Sequence, residues 1–255
     1  MQFAFDPEFL VAFMFATIRC GAFLSIAPPF QGAVPPQIRA GLSIALGLAM
    51  TPRLVATGKV PSTDSWALLT GSVHQAVIGI ALGFLVFVIF QAVAAAGGMI
   101  DAFAALTSAQ LFDPLSKTSA GPVSRLYQTL GTGVLFMSNG HLMLIAGLSR
   151  TFNMSPVDGF HADRMGALIT KDVLSFLVAA VQIAAPILGA LFVTEILLGL
   201  ASRAAPKLNV MVLGFGAKSL VLFMLLGAAL PLIPYVTARL VDQSLAMMQA
   251  LVKGG

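Results

Sequence analysis

Apolar residues run along this chain in long blocks, and polar residues gather between them. Six blocks can be drawn. The first is Phe9–Ala27, with Arg19 near its middle, and it ends at Pro28-Pro29. The second, Ile38–Met50, follows Pro35-Pro36, stops before Thr51-Pro52 and is short for a membrane span. The third, Trp66–Ala96, is longer than the roughly 20 residues that a perpendicular crossing needs. The fourth is Leu126–Leu148. A polar connector, Ser149–Asp172, leads to the fifth, Val173–Ala201, which contains Pro186 and Glu195. The sixth, Val210–Ile233, carries Lys218 and ends at Pro231 and Pro234, and an amphipathic tail, Val236–Val252, closes the chain. No strand-like alternation runs through these blocks, and backbone groups in hydrocarbon must pair within their own segment, so helices are predicted throughout. The fold class expected is all-α and membrane-associated.

Between the third and fourth blocks lies Gly97–Pro122, which opens on a glycine pair and ends on Gly-Pro. Its first half, Gly97–Ala109, is rich in small residues and predicts a close-packed helix carrying Asp101. Its second half, Gln110–Pro122, reads as a polar loop broken by Asp113-Pro114. Gly, Pro, Ser and Asp are ordinary turn residues, so composition alone is met by a surface turn with one anchoring Phe.

Composition supports the membrane reading. Of 255 residues, 58% are hydrophobic and 9% charged, against about 25% charged in soluble domains. The formal net charge of +4 is spread along the chain without a basic stripe, so nucleic-acid binding has no support. One cysteine, Cys20, excludes an internal disulfide and a cysteine-based metal cluster. The start carries Asp6 and Glu8 and no basic residue, which is unlike a cleavable signal. Basic residues in alternating loops normally set orientation. Here seven fall on one side of a six-span drawing and five on the other. That near-balance, with one short and one overlong block, argues against a simple six-span bundle.

Small residues four apart, Gly79 with Gly83, Gly41 with Ala45 and Ala185 with Gly189, predict close helix contacts. Arg19, Asp101, Glu195 and Lys218 lie in or beside apolar helices. Such groups cost about 2.5–3.5 kcal/mol at a bilayer centre, so each should face protein, water or opposite charge, as a structural pair, a subunit contact or part of an ion path. His74, His141 and His161 stand far apart with no metal-ligand spacing, and neither a GxSxG elbow nor a phosphate loop occurs, so no cofactor, metal or catalytic set is expected and the chain does not read as an enzyme.

Three stretches, taken in order, resemble the FliR family of the flagellar type III export gate and its SctT counterparts in injectisomes. In Arg19–Pro52 the family's pattern falls on Arg19, Pro28, Val34, Pro35 and Arg39. Gly97–Pro114 resembles the family's Gly-rich helix ending in Asp-Pro. Arg203–Lys218 resembles its Arg-x-x-Pro-x-x-Asn followed by Gly-Phe and Lys, with Arg203, Pro206, Asn209, Gly214, Phe215 and Lys218 in those places and Gly216 departing where a Pro is common.

The resemblance implies a FliP-like helical part over residues 1–167 and a FliQ-like helical hairpin with an amphipathic tail over 168–255. It implies assembly with FliP-like and FliQ-like subunits into a channel for unfolded export substrates, with FlhB-like and FlhA-like proteins alongside, lipid around part of the assembly, and a place in the bacterial inner membrane within the flagellar basal body. Family members lie largely above the ordinary membrane plane, which would explain the balanced charges. It also implies that Gln110–Pro122 is a plug. Leu111 and Phe112 would supply an apolar seal that gates by dewetting. Asp113-Pro114 would end the helix, Leu115, Ser116 and Lys117 would continue the loop, and Gly121-Pro122 would return it to the next helix. The other reading open to the residues is a small-molecule or ion transporter, which would also use broken helices and buried charges, although no matching pair of broken segments marks inverted repeats.

Overall fold

In a computed structural model the described residues are 7–31, 34–56, 65–106, 120–154, 162–205 and 210–252. Among them every regular element is helical. Helix α1 is Pro7–Ile26, α2 Pro28–Gln31, α3 Pro36–Ala56, α4 Ser65–Phe103 and α5 Pro122–Met137. They are followed by α6 Gly140–Met154, α7 Ala162–Ala204, α8 Val210–Ala229, a 3₁₀ turn at Leu230–Leu232 and α9 Ile233–Val252. Pro7, Pro28, Pro36 and Pro122 each stand first in a helix, where the missing N–H has no partner to lose and the fixed φ suits the helix.

Five segments are long and apolar enough to cross a membrane: Pro7–Ile26, Pro36–Ala56, Ser65–Phe103, Val173–Ala204 and Leu213–Ala246. Pro122–Met137 with Gly140–Phe152 adds a sixth if that bent pair is one span.

Three expectations are corrected. The second block does not stop before Thr51-Pro52: α3 continues through both to Ala56 and reaches 21 residues. Proline forfeits one donor there, the N–H that would reach the Leu48 carbonyl, and the Thr51 hydroxyl donates to the neighbouring Gly47 carbonyl at 2.8 Å. The third block and the helix expected at Gly97–Ala109 are one helix, α4, which passes through both glycines and ends at Phe103. The fourth block is two helices. It breaks at Ser138-Asn139, where Asn139 takes a positive φ of 57° and its carbonyl accepts from Leu142 N–H at 3.0 Å.

The chain divides into two compact units. One comprises Met1–Ile89, Leu135–Val173 and Leu240–Gly255. Within it α1 is packed on α3 and α4. The face of α3 turned inward carries Ser43, Gly47, Thr51 and Leu54, while Ile38, Ile44 and Leu48 are exposed. This inverts the usual soluble pattern and suits a helix whose outer face meets lipid or another protein. On α4, a Cβ at Gly79 would stand 2.5 Å from the Arg19 carbonyl oxygen, and one at Gly83 3.0 Å from that of Phe23. The glycine pair therefore lets α4 ride directly on the α1 backbone, as the small-residue spacing predicts. Among the described residues the other two pairs do not make such contacts, since nothing stands within 4 Å of a Cβ at Gly41 or Gly189.

The other unit comprises Phe90–Val134 and Leu174–Arg239. Its α7 buries one narrow stripe, Ala180, Ala184, Ile187 and Leu191, spaced three or four residues apart, and α8 buries Leu222 and Leu226, four apart. Gly214 of α8 would bring a Cβ to 3.4 Å from Leu198 of α7. Outside these stripes the two helices expose Phe192, Ile196, Leu197, Phe215 and Phe223, among others.

Candidate functional site

The end of α4 and the start of α5 build the most organised polar arrangement in the second unit. An α-helix leaves its first backbone N–H groups without intrahelical partners, and these are usually met by an oxygen on the N-cap side chain. In α5 the N-cap is Gly121, whose carbonyl accepts the first intrahelical bond from Arg125 N–H at 3.1 Å. Glycine has no side chain to offer. Asp101 of α4 supplies the oxygens instead. Its Oδ1 accepts from Val123 N–H at 3.0 Å and its Oδ2 from Ser124 N–H at 2.9 Å. The carboxylate is fully buried, and the partial positive charge of the helix N-terminus favours it there.

The fit depends on two glycines. A Cβ at Gly121 would stand 2.7 Å from the Asp101 Cβ, and one at Gly97 would stand 2.5 Å from the Ser124 Cα. One turn further back on α4, the Ala94 carbonyl accepts from the Ser124 hydroxyl at 2.8 Å. Residues 94, 97 and 101 thus form one stripe on α4 that grips the first turn of α5. Two further features frame this junction: Ala105 takes a positive φ of 59° just past the end of α4, and Arg125 Nε donates to the Ala120 carbonyl at 3.0 Å.

Arg19 is the counterpart in the first unit. It is fully buried in α1. Its Nε donates to Gln75 Oε1 of α4 at 2.7 Å, and an Nη donates to Thr151 Oγ1 of α6 at 3.3 Å. The guanidinium carbon stands 4.4 Å from the centre of the Phe152 ring, a cation–π geometry. One side chain therefore ties three helices. Arg53 of α3 adds a bond to Ser149 of α6 at 3.0 Å.

Lys218 of α8 and Glu195 of α7 form an ion pair, with the lysine side chain largely covered and the glutamate more than half exposed. The four ionisable residues expected in apolar helices thus occupy three separate arrangements: a helix cap, a three-helix tie and an ion pair.

Among the family-motif positions, Pro28 starts α2, and the Pro35 carbonyl accepts from Arg39 N–H at 3.0 Å at the start of α3. Arg203 lies in the last turn of α7, where a cation suits the helix C-terminus. Gly214 is buried in α8 and Phe215 beside it is exposed. Pro206 and Asn209, and the plug positions Gln110, Leu111, Phe112, Asp113, Pro114, Leu115, Ser116 and Lys117, lie outside the described residues. The parts that Gln75, Thr151, Phe152, Val123 and Ser124 take in these contacts are not announced by the sequence pattern. Gln75, polar within a long apolar block, and Gly-Pro at a helix start with no side chain to cap it were the available signals.

Comparison with known proteins gives a consistent result. Residues 10–244 match the family described as bacterial export proteins, family 1. The flagellar biosynthetic protein FliR of Escherichia coli strain K12 is 33% identical over 229 residues, which cover 89% of this chain and 87% of that protein. FliR of Bacillus subtilis strain 168 is 26% identical over 251 residues, covering 96% and 95%. The Yop proteins translocation protein T of Yersinia pestis is 30% identical over 193 residues, covering 74% and 73%. With its model matched over nearly the whole length and relatives at this identity, the chain belongs to bacterial export protein family 1.

Proposed function

We propose that this protein is a core channel component of a flagellar type III export gate in the bacterial inner membrane, within the basal body. The observation that carries the reading is the match along almost the whole chain to FliR proteins of distant bacteria. The described helices suit it: five can cross a membrane and several expose long apolar faces. In this reading residues 1–167 are a FliP-like part and residues 168–255 a FliQ-like hairpin. They join FliP-like and FliQ-like subunits around a passage for unfolded substrates, with FlhB-like and FlhA-like proteins outside it.

Such a passage must admit varied side chains and still block ions when idle, which a narrow apolar constriction does by dewetting. The connector between α4 and α5 is assigned that role. Leu111 and Phe112 form the seal, and Asp113-Pro114 ends the approach to it. Gly121-Pro122 leads back into α5. No acid–base or metal chemistry is needed, since the work is passage and closure.

The test is conductance of assembled gates in a bilayer after deleting residues 111–117, which leaves Gly121 and Pro122 in place. The deletion is expected to raise idle ion leak at least tenfold, and Phe112→Ala to raise it by a smaller factor. Unchanged conductance rejects the plug. Recovery of the protein as a lone solute-binding dimer, without FliP-like and FliQ-like partners, would favour a transporter instead.

A further inference from the structure

We propose that Asp101 is a positioning residue of the gate: its carboxylate ties the end of α4 to the start of α5, so that both anchors of the intervening connector move as one piece. This rests on the reading that the connector carries the seal.

Capping alone does not account for the arrangement. A helix that needs only its first N–H groups satisfied takes a Ser, Asp or Asn at its own N-cap. Here the N-cap is Gly121 and the acceptor comes from a residue 22 positions upstream of Val123. One oxygen serves each N–H, at 3.0 and 2.9 Å, so the carboxylate cannot swivel without losing a bond. Burial excludes water as a replacement partner, because Asp101 is fully enclosed. The stripe at residues 94 and 97 makes the same connection through a hydroxyl bond and a direct backbone approach. Every one of these contacts joins α4 to the first turn of α5. A local cap would satisfy the helix and leave the two anchors joined only through the contacts at residues 94 and 97. The distant cap satisfies the helix only while the anchors stay together.

That difference can be separated by exchanging the two residues. In the variant Asp101→Gly, Gly121→Asp, the side chain that blocks position 121 is gone, and α5 carries its own cap. Gly121 does not use the left-handed backbone region, so an aspartate is tolerated there. The exchange keeps the cap and takes the carboxylate out of the tie, leaving the Ser124 bond to Ala94 and the Gly97 approach. It is compared, in the full assembled gate, with wild type, with Asp101→Gly alone and with the 111–117 deletion.

Two readouts are taken. Spin labels at Phe103 and Gln128, both exposed, with the buried Cys20 replaced by Ala, report the spread of distances between α4 and α5. Idle ion leak reports the seal. The exchange variant should assemble in wild-type yield, show a distance distribution at least twice as wide as wild type, and leak within threefold of the deletion. A narrow distribution in the exchange variant overturns the proposal, because the contacts at residues 94 and 97 would then hold the anchors without Asp101. A broad distribution with wild-type leak, in gates where the deletion does leak, also overturns it. If the deletion itself does not leak, the seal reading falls. The distance result then decides alone whether Asp101 ties the anchors.

Discussion

Arg19 and Asp101 are fully buried ions in helices that can cross a membrane, and each is met by geometry. Asp101 faces two aligned N–H groups at a helix start. A charge-assisted hydrogen bond contributes about 1.5–3 kcal/mol, and an orphaned buried N–H costs about 1–3 kcal/mol. Arg19 is met by an amide oxygen, a hydroxyl and an aromatic face on separate sides of a flat guanidinium. Lysine keeps the charge but offers no planar fork, so it cannot reach the same three partners. Arg19→Lys is therefore expected to destabilise the folded chain by about 1–3 kcal/mol, read as a fall of several degrees in the thermal transition of the purified assembly. A transition unchanged within a degree would show that charge alone is what the site needs.

At the scale of elements, close approach is the governing feature. Helix α4 lies on α1 because Gly79 and Gly83 leave room for carbonyl oxygens. Gly79→Val would place atoms where the Arg19 carbonyl stands, at an expected cost of about 1–3 kcal/mol from overpacking. Gly41→Val, with nothing within 4 Å, should leave the chain's own stability within about 0.5 kcal/mol. The comparison is read as the cellular level of each variant chain when coexpressed with its partners. Equal levels would remove Gly79 from the contact.

Much at this scale is legible in the sequence, and what is not has identifiable causes. Helix α1 begins two residues before its apolar block and ends one before the block's end, because the block and the helix share the Pro28 boundary. The end of α3 lies beyond Thr51-Pro52 because a proline late in a helix removes a single donor, which the helix can carry. The break in the fourth block is marked only by Ser138-Asn139-Gly140, a short interruption between apolar runs, although Asn-Gly is a strong turn signal. The need for Asp101 to find a partner could be read from its surroundings. The identity of that partner could not, since backbone N–H groups carry no residue-specific signature and the pairing spans 22 positions.

For the whole molecule, the apolar surface decides behaviour. The outward faces of α3, α7 and α8 carry large side chains in the open, with Leu48, Leu197, Phe215 and Phe223 each more than half exposed. The exposed carboxylate of Glu195 sits on α7 as part of an ion pair. Lipid suits the apolar side chains and disfavours the charge, so protein is the better cover for that part of α7. The chain made alone should accordingly be degraded or aggregate, and coexpression with FliP-like and FliQ-like subunits should raise its recovered amount at least fivefold. Equal recovery in both conditions would mean that lipid is sufficient cover.

The shared cap between α4 and α5 also bears on how such a chain can change over generations. Because the two helices are joined at Asp101 and Val123, the length between them is decoupled from the scaffold. Doubling a flexible loop costs only about 0.6 kcal/mol in closure entropy. Changes of length between residues 107 and 119 that keep the apolar pair of the seal can then accumulate without moving either helix, while Gly97, Asp101 and Gly121 cannot drift independently of one another. A lineage adapting to bulkier or differently charged cargo has a segment it can rewrite around its apolar seal, bordered by three residues it must keep as a set.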